Sequence, residues 1–223
     1  MEKIFEGEVC ELLPLSNGLI FSYCRERVDE SQADISFKMI SFEDGRLTDV
    51  AKNMYLLTKF GNNYKIMLDY CDNFITDKVL TMPSGKVFLM RGSGSAFFLD
   101  NDGTPLWTGN LTYRNTTPDD IVFHNNSLWA SYSEYNVLVR YNLTTMRDEL
   151  RIGGKKSPFD KPAELFVQGD NVIVSNHGSG KLLQVDLNTY CVNEKEIFEE
   201  PVYQYLSVGD YRFVILKSGL YVI

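Results

Sequence analysis

PAELFVQGDNVIVSNHGSGKLLQVDLNTY, Pro162 to Tyr190, reads as three short strands. Its apolar runs are of strand length and rich in β-branched residues, and GD and HGSG break them as turns. Upstream, PDDIVFHNNSLWASYSEYNVLVRYNLTTM from Pro118 repeats the pattern, with NN in place of GD and SEYN in place of HGSG. Downstream, PVYQYLSVGDYRFVILKSGLYVI from Pro201 repeats it again, and TMPSGKVFLMRGSGSAFFLDNDGTPLW from Thr81 matches the later part of the same unit. Pro118, Pro162 and Pro201 lie 44 and 39 residues apart. That spacing is close to the roughly 40–50 residues of a propeller blade. Each unit accommodates four antiparallel strands. The expected fold is therefore all-β: one β-propeller domain over residues 1–223, with five four-stranded blades.

The two ends of the chain sharpen this expectation. EKIFEGEV (Glu2 to Val9) resembles KEIFEEPV (Lys195 to Val202), where one blade's last strand runs into the next blade's first. The final unit holds only three strands before Ile223. Lys3 to Glu6 is therefore expected to supply the fourth, beside Gly219 to Ile223. Such pairing leaves no open sheet edge and ties down both termini.

Blades are expected to start near Lys78, Asp119, Ala163 and Val202. Glu8 to Asp77 is too long for one blade and too short for two. It is read as one blade carrying a polar insertion, RERVDESQAD (Arg25 to Asp34). An extra hairpin follows, with strands at Met54 to Phe60 and Tyr64 to Tyr70 and a turn at GNN (Gly61 to Asn63). Six blades, one of them degenerate, is the alternative. A β-sandwich explains neither the repeat nor the matched ends.

PAELFVQGDNVIVSN, followed by Gly, a strand and Asp186, resembles a blade of the NHL-repeat and gluconolactonase-like propellers. The resemblance covers about four repeats. It implies a fold rather than a function, because such blades serve enzymes, scaffolds and receptors alike. For the lactonase branch it implies a divalent cation in the channel, with Glu8 and Asn176 at two ligand positions and no match for the remaining ligands.

The chain has 223 residues, 22 Lys+Arg against 30 Asp+Glu and a net charge of -8. That balance argues against nucleic acid or an anionic membrane as the main partner. Four cysteines without a CxxC pair, and two histidines, do not make a structural zinc site. The cysteines are expected to be reduced. MEKIFEGEV has no signal-peptide pattern, so the expected setting is a cytoplasmic monomer without a cofactor.

Function is expected on the rim that carries the loops between second and third strands. RGSGS and NHGSG align in the repeat, placing Arg91 and His177 at equivalent positions beside Asn176. Both side chains suit an anionic or polar group, and the glycines allow close approach. Asp119, Asp120 and Glu164 begin inner strands near the same mouth and offer His177 a carboxylate. Tyr132 and Tyr135 flank a rim loop and suit an exposed binding platform. The plain alternative is tight loops with solvated side chains. Neither histidine adjoins a Gly-x-Ser-x-Gly elbow. The leading expectation is a non-catalytic propeller that binds a protein partner or a small polar ligand at this rim. The alternative is a metal-dependent hydrolase of lactonase type.

Overall fold

Val, Ile, Leu and Phe runs bounded by Gly, Asn and Asp become strands in the computed structural model, which describes residues 1–27, 33–62, 65, 68–69, 71, 73–102 and 104–223. β1 (Glu2–Glu6) precedes a first sheet of β2 (Val9–Pro14), β3 (Gly18–Arg27), β4 (Ala33–Ser41) and β5 (Leu47–Asp49). Helix α1 (Lys52–Phe60) follows. The second sheet holds β6 (Lys78–Met82), β7 (Gly85–Leu89), β8 (Ser95–Leu99) and β9 (Pro105–Asn110). The third holds β10 (Asp120–His124), β11 (Ser127–Tyr132), β12 (Val137–Asn142) and β13 (Asp148–Gly153), with a short 3-10 turn at Ser133–Tyr135. The fourth holds β14 (Pro162–Gln168), β15 (Asn171–Asn176), β16 (Lys181–Asp186) and β17 (Val192–Ile197). β18 (Val202–Val208), β19 (Tyr211–Leu216) and β20 (Gly219–Val222) complete the fifth, in the order β1-β20-β19-β18. Five four-stranded antiparallel sheets of this order make a five-bladed β-propeller, and the strand starts match the expected blade boundaries.

The chain divides into two compact units, Met1–Ile75 with Leu206–Ile223, and Thr76–Tyr205. In the first unit the chain ends pair as expected: Lys3 opposes Tyr221, Phe5 opposes Leu220 and Glu6 opposes Gly219. Gly219 has φ +147°, and a Cβ there would meet the Phe5 carbonyl oxygen at 2.0 Å, so this edge of the ladder needs glycine. The Phe5 ring packs 5.1 Å from Phe21 and 4.7 Å from Tyr23. Phe42 stacks on Tyr211 at 4.8 Å, and the Tyr211 hydroxyl donates to the Phe42 carbonyl at 3.3 Å.

Two expectations for this unit need correction. Met54 to Phe60 is helix, not strand. In KNMYLLTKF the residues that need burial are Tyr55, Leu56 and Phe60. A helix buries them together, and it puts Tyr55 and Lys59, four apart, on one face. Both reach the buried Glu11: Lys59 Nζ donates to Oε2 at 2.8 Å and to the Ile75 carbonyl at 2.9 Å, and the Tyr55 hydroxyl donates to the same carboxylate. Gly61 caps the helix at φ +79°. Much of the proposed partner strand Tyr64 to Tyr70, and Asn63 of the turn, lie outside the described residues. The second correction concerns Arg25 to Asp34. Glu26 pairs with Asp34 and Arg27 with Ala33, so both ends of the supposed insertion lengthen the β3–β4 ladder. Residues 28–32 lie outside the described residues.

In the second unit the middle strands β11, β12, β15 and β16 are buried on both faces, whereas the outer strands β9, β13 and β17 are largely exposed. A strand covered on both faces has no polar alternation, which explains continuous runs such as Val172–Val174. One core cluster joins Val87, Leu89 and Phe98 to Ile121, Leu128, Val139 and Tyr141. A second joins Val122, Trp129 and Leu138 to Leu165, Val172, Val174 and Leu183. Each fully buried side chain of this kind contributes about 1.5–3 kcal/mol.

Candidate functional site

A buried charge cluster lies in the second unit, at the leading ends of the first strands of three successive sheets. β10 lies against both β6 and β14. Lys78 begins β6, Asp120 begins β10, and Glu164 is the third residue of β14. Arg91 follows β7. Lys78 Nζ sits 2.5 Å from Glu164 Oε2 and 3.7 Å from Asp120 Oδ1. Arg91 Nη1 donates to Glu164 Oε1 at 3.3 Å. The Leu165 N–H donates to Asp120 Oδ2 at 2.8 Å, and the Arg91 N–H donates to the buried Asp77 Oδ1 at 3.2 Å. Ser131 Oγ accepts the Asp120 N–H and donates to the Ala163 carbonyl, holding the β10 and β14 ends together.

The two carboxyl groups are driven apart in acidity. Burial, then the Glu164 charge, push Asp120 up to about 7, against the opposing pull of Lys78. Burial also pushes Glu164 upward, but Lys78 and Arg91 outweigh it and hold Glu164 below the ordinary glutamate range. Below pH 7 the pair shares one proton: Asp120 carries it while Glu164 is ionised. Lys78 and Glu164 side chains are 14% exposed and Asp120 6%, while Arg91 is 26% exposed. Arg91 is the member that solvent reaches most. Of its five guanidinium N–H groups, one is engaged among the described residues, and that bond is long.

The structure therefore gathers Arg91, Asp120 and Glu164 and adds Lys78, which the sequence reading did not single out. Its signal was available: Lys78 opens its inner strand as Asp120 and Glu164 open theirs. The other named residues lie elsewhere. Tyr132 is 1% exposed, and its hydroxyl meets that of Tyr141 at 2.6 Å; it belongs to the core and offers no surface platform. Asn176, at the equivalent end of β15, is 0% exposed. Its Oδ1 accepts the Asp160 N–H at 2.9 Å, and its amide donates to Ser179 Oγ and the Pro158 carbonyl, so it organises its loop. Asp119 receives the Ser133 N–H at 2.7 Å and the Ser133 hydroxyl at 3.0 Å, fixing the turn that carries Tyr135. His177 packs 4.7 Å from the Tyr203 ring, and burial, then Lys161, lower its pKa. Among the described residues, none of these four side chains shares a hydrogen bond or ion pair with those of Lys78, Arg91, Asp120 or Glu164. Tyr135 is half-buried and packs edge-on against Tyr113.

RGSGS and NHGSG do share one backbone design. The Gly94 N–H returns to the Met90 carbonyl and the Gly180 N–H to the Asn176 carbonyl, with φ of +72° and +66°. The Asp100 carboxylate accepts the Asp102 and Thr104 N–H groups, as a side chain closing a turn does. Glu8, one of the two positions marked for a metal, is held by Arg27, whose Nε donates at 2.9 Å. Among the described residues no three His, Cys, Asp or Glu side chains gather into a metal-holding group, and no helix is long and apolar enough to cross a membrane.

No protein-family model matches the sequence, and no curated protein matches it either. Solved structures do. Virginiamycin B lyase from Staphylococcus aureus superposes with a TM-score of 0.52 at 12% identity, over 96% of this chain and 63% of that one. A streptogramin B lyase gives 0.52 at 9% identity, over 98% and 69%. Glutaminyl cyclase from Myxococcus xanthus gives 0.51 at 11% identity, over 100% and 92%. The chain thus spans less than two thirds of the length of the Staphylococcus enzyme. What this likeness establishes is the architecture alone: the chain is a five-bladed β-propeller.

Proposed function

We propose that the protein is a binding propeller that takes a small, carboxylate-bearing polar ligand at the leading ends of β6, β10 and β14. One observation carries this reading: three consecutive blades converge on a charge cluster in which Arg91 keeps most of its donors unused. Lys78 already serves Glu164 and Asp120. The guanidinium of Arg91 is the group with spare, part-exposed donors, and its planar fork suits a carboxylate. Glu164 and Asp120 would orient hydroxyl or amino groups of the same ligand. Two of the structural neighbours are named as a lyase and a cyclase. At such low identity their chemistry does not transfer to this chain, and the binding reading does not draw on it.

Thermal-shift measurement with acetate, succinate, glutamate and phosphate tests the proposal. A ligand at ten times its Kd stabilises by about 1.4 kcal/mol, which raises Tm by about 3–6 °C for a domain of this size. At least one carboxylate should produce that shift, and Arg91→Ala should remove it. A wild-type protein that none of the carboxylates shifts, or a variant that shifts as far as wild type, would overturn the reading.

A further inference from the structure

A different observation concerns the loop between β9 and β10. Tyr113 and Thr116 exchange both backbone hydrogen bonds, each at 3.0 Å, around the central residues Arg114 and Asn115. Both central residues are left-handed, at φ +51° and +67°. A two-residue turn of this kind favours Asn, Asp or Gly. The chain follows that rule in the β10–β11 turn, where Asn125 and Asn126 take φ +44° and +61°. At Arg114 it places a long side chain in a conformation that side chains avoid.

The side chain has a defined position. Its guanidinium carbon lies 5.3 Å from the ring centres of both Tyr113 and Tyr135. Those rings meet edge to face at 5.5 Å. Tyr113 is backed by the buried Tyr132 at 5.6 Å, and the Tyr135 hydroxyl donates to the Arg114 carbonyl. The platform under Arg114 is therefore anchored in the core of its blade. A guanidinium held beside aromatic rings by cation–π attraction keeps its N–H donors for other partners. Among the described residues Arg114 makes no ion pair and its guanidinium makes no hydrogen bond. Arg151 lies over the Tyr113 ring at 5.1 Å and is paired with Asp148. In a chain of net charge -8, Arg114 is thus an exposed cation without an acidic partner among the described residues, set on an aromatic platform.

We propose that Arg114, Tyr113 and Tyr135 form an interaction surface for an acidic segment of a partner protein. A partner Asp or Glu carboxylate would take the Arg114 fork, with an adjacent apolar side chain on Tyr135. Rigid tyrosines and an arginine already held against them lose little freedom on binding, and that combination is typical of interface hot spots. The left-handed Arg114 then has a reason, since a residue better suited to the turn would lose the fork.

The test is fluorescence anisotropy with a short labelled peptide of alternating glutamate and leucine. Its glutamine counterpart and an oligothymidylate serve as controls, all at about 100 mM salt so that diffuse attraction is screened. Wild type should prefer the glutamate peptide. Arg114→Asn and Arg114→Gly should weaken it about tenfold or more while Tm holds or rises, because both residues suit the turn. Arg91→Ala should leave this binding unchanged, which separates the surface from the carboxylate site proposed above. The proposal is overturned if the Arg114 variants bind like wild type or lower Tm by several degrees. It is equally overturned if neither peptide binds, if the glutamine peptide or the oligothymidylate binds as well, or if Arg91→Ala alone abolishes binding.

Discussion

Asp120→Asn should gain stability relative to wild type as pH rises from about 5 to about 8.5. Asp120 is a buried carboxyl whose pKa rises from 3.8 to about 7 on folding. The folded protein therefore binds this proton more tightly than the unfolded chain does. That stabilisation is complete below pH 4 and is lost as pH rises through 7. A shift of this size corresponds to about 4 kcal/mol in total at 1.36 kcal/mol per pKa unit, of which roughly 2–3 kcal/mol disappears between pH 5 and pH 8.5. Glu164 does not confuse this window. Its folded pKa is lowered, so its contribution is present above the ordinary glutamate range and is lost only as pH falls below it. Asparagine keeps an oxygen for the Leu165 N–H, has an amide to offer Glu164, and carries no charge to bury. In urea denaturation at the two pH values, the stability of Asp120→Asn relative to wild type should rise by about 2–3 kcal/mol from pH 5 to pH 8.5. A relative stability that stays constant with pH, or falls, would show that Asp120 is not held protonated by its surroundings.

Lys59→Met removes the cation from Glu11, whose side chain is 6% exposed, and should cost about 3 kcal/mol in the same assay. Asn176→Ala leaves the Asp160 N–H and the Pro158 carbonyl without their partner and should cost about 2–3 kcal/mol, whereas His177→Ala beside it should stay within about 0.5 kcal/mol. Phe5→Ala removes the ring that packs on Phe21 and Tyr23 and should cost about 2–3 kcal/mol. Its mark should be faster amide exchange in β20, the strand that β1 covers.

Turn residues at repeated spacing made the blades legible, because each Gly-Asp, Asn-Asn or Gly-Ser-Gly marks a reversal that only a few backbone conformations allow. The pairing of the chain ends was legible for the same reason: EKIFEGEV resembles a strand transition found elsewhere in the chain. α1 was not legible. KNMYLLTKF is short, its leucines and tyrosine suit a strand equally well, and the partner that fixes Tyr55 and Lys59 is Glu11, more than forty residues earlier. At the candidate site, residue type alone misassigned Tyr132 and Asn176. Both end a second strand and are buried there, Tyr132 in the core cluster it shares with the preceding sheet and Asn176 among the loop groups it bonds. Arg91, Asp120 and Glu164 were recognised individually, but an exposed rim carboxylate and a buried one look the same in a sequence. Their grouping with Lys78 depends on three strands starting at one level.

The shared blade also bears on how the molecule is made. At a ribosomal rate of about 5–20 residues per second, β1 is made on the order of ten to forty seconds before the β20 it pairs with. During that interval its ladder edge, and the face of Phe21 and Tyr23 that Phe5 will cover, are available to other chains. Until β20 is made, the edge of β1 is therefore open to misassociation, and pairing with β20 ends that vulnerability.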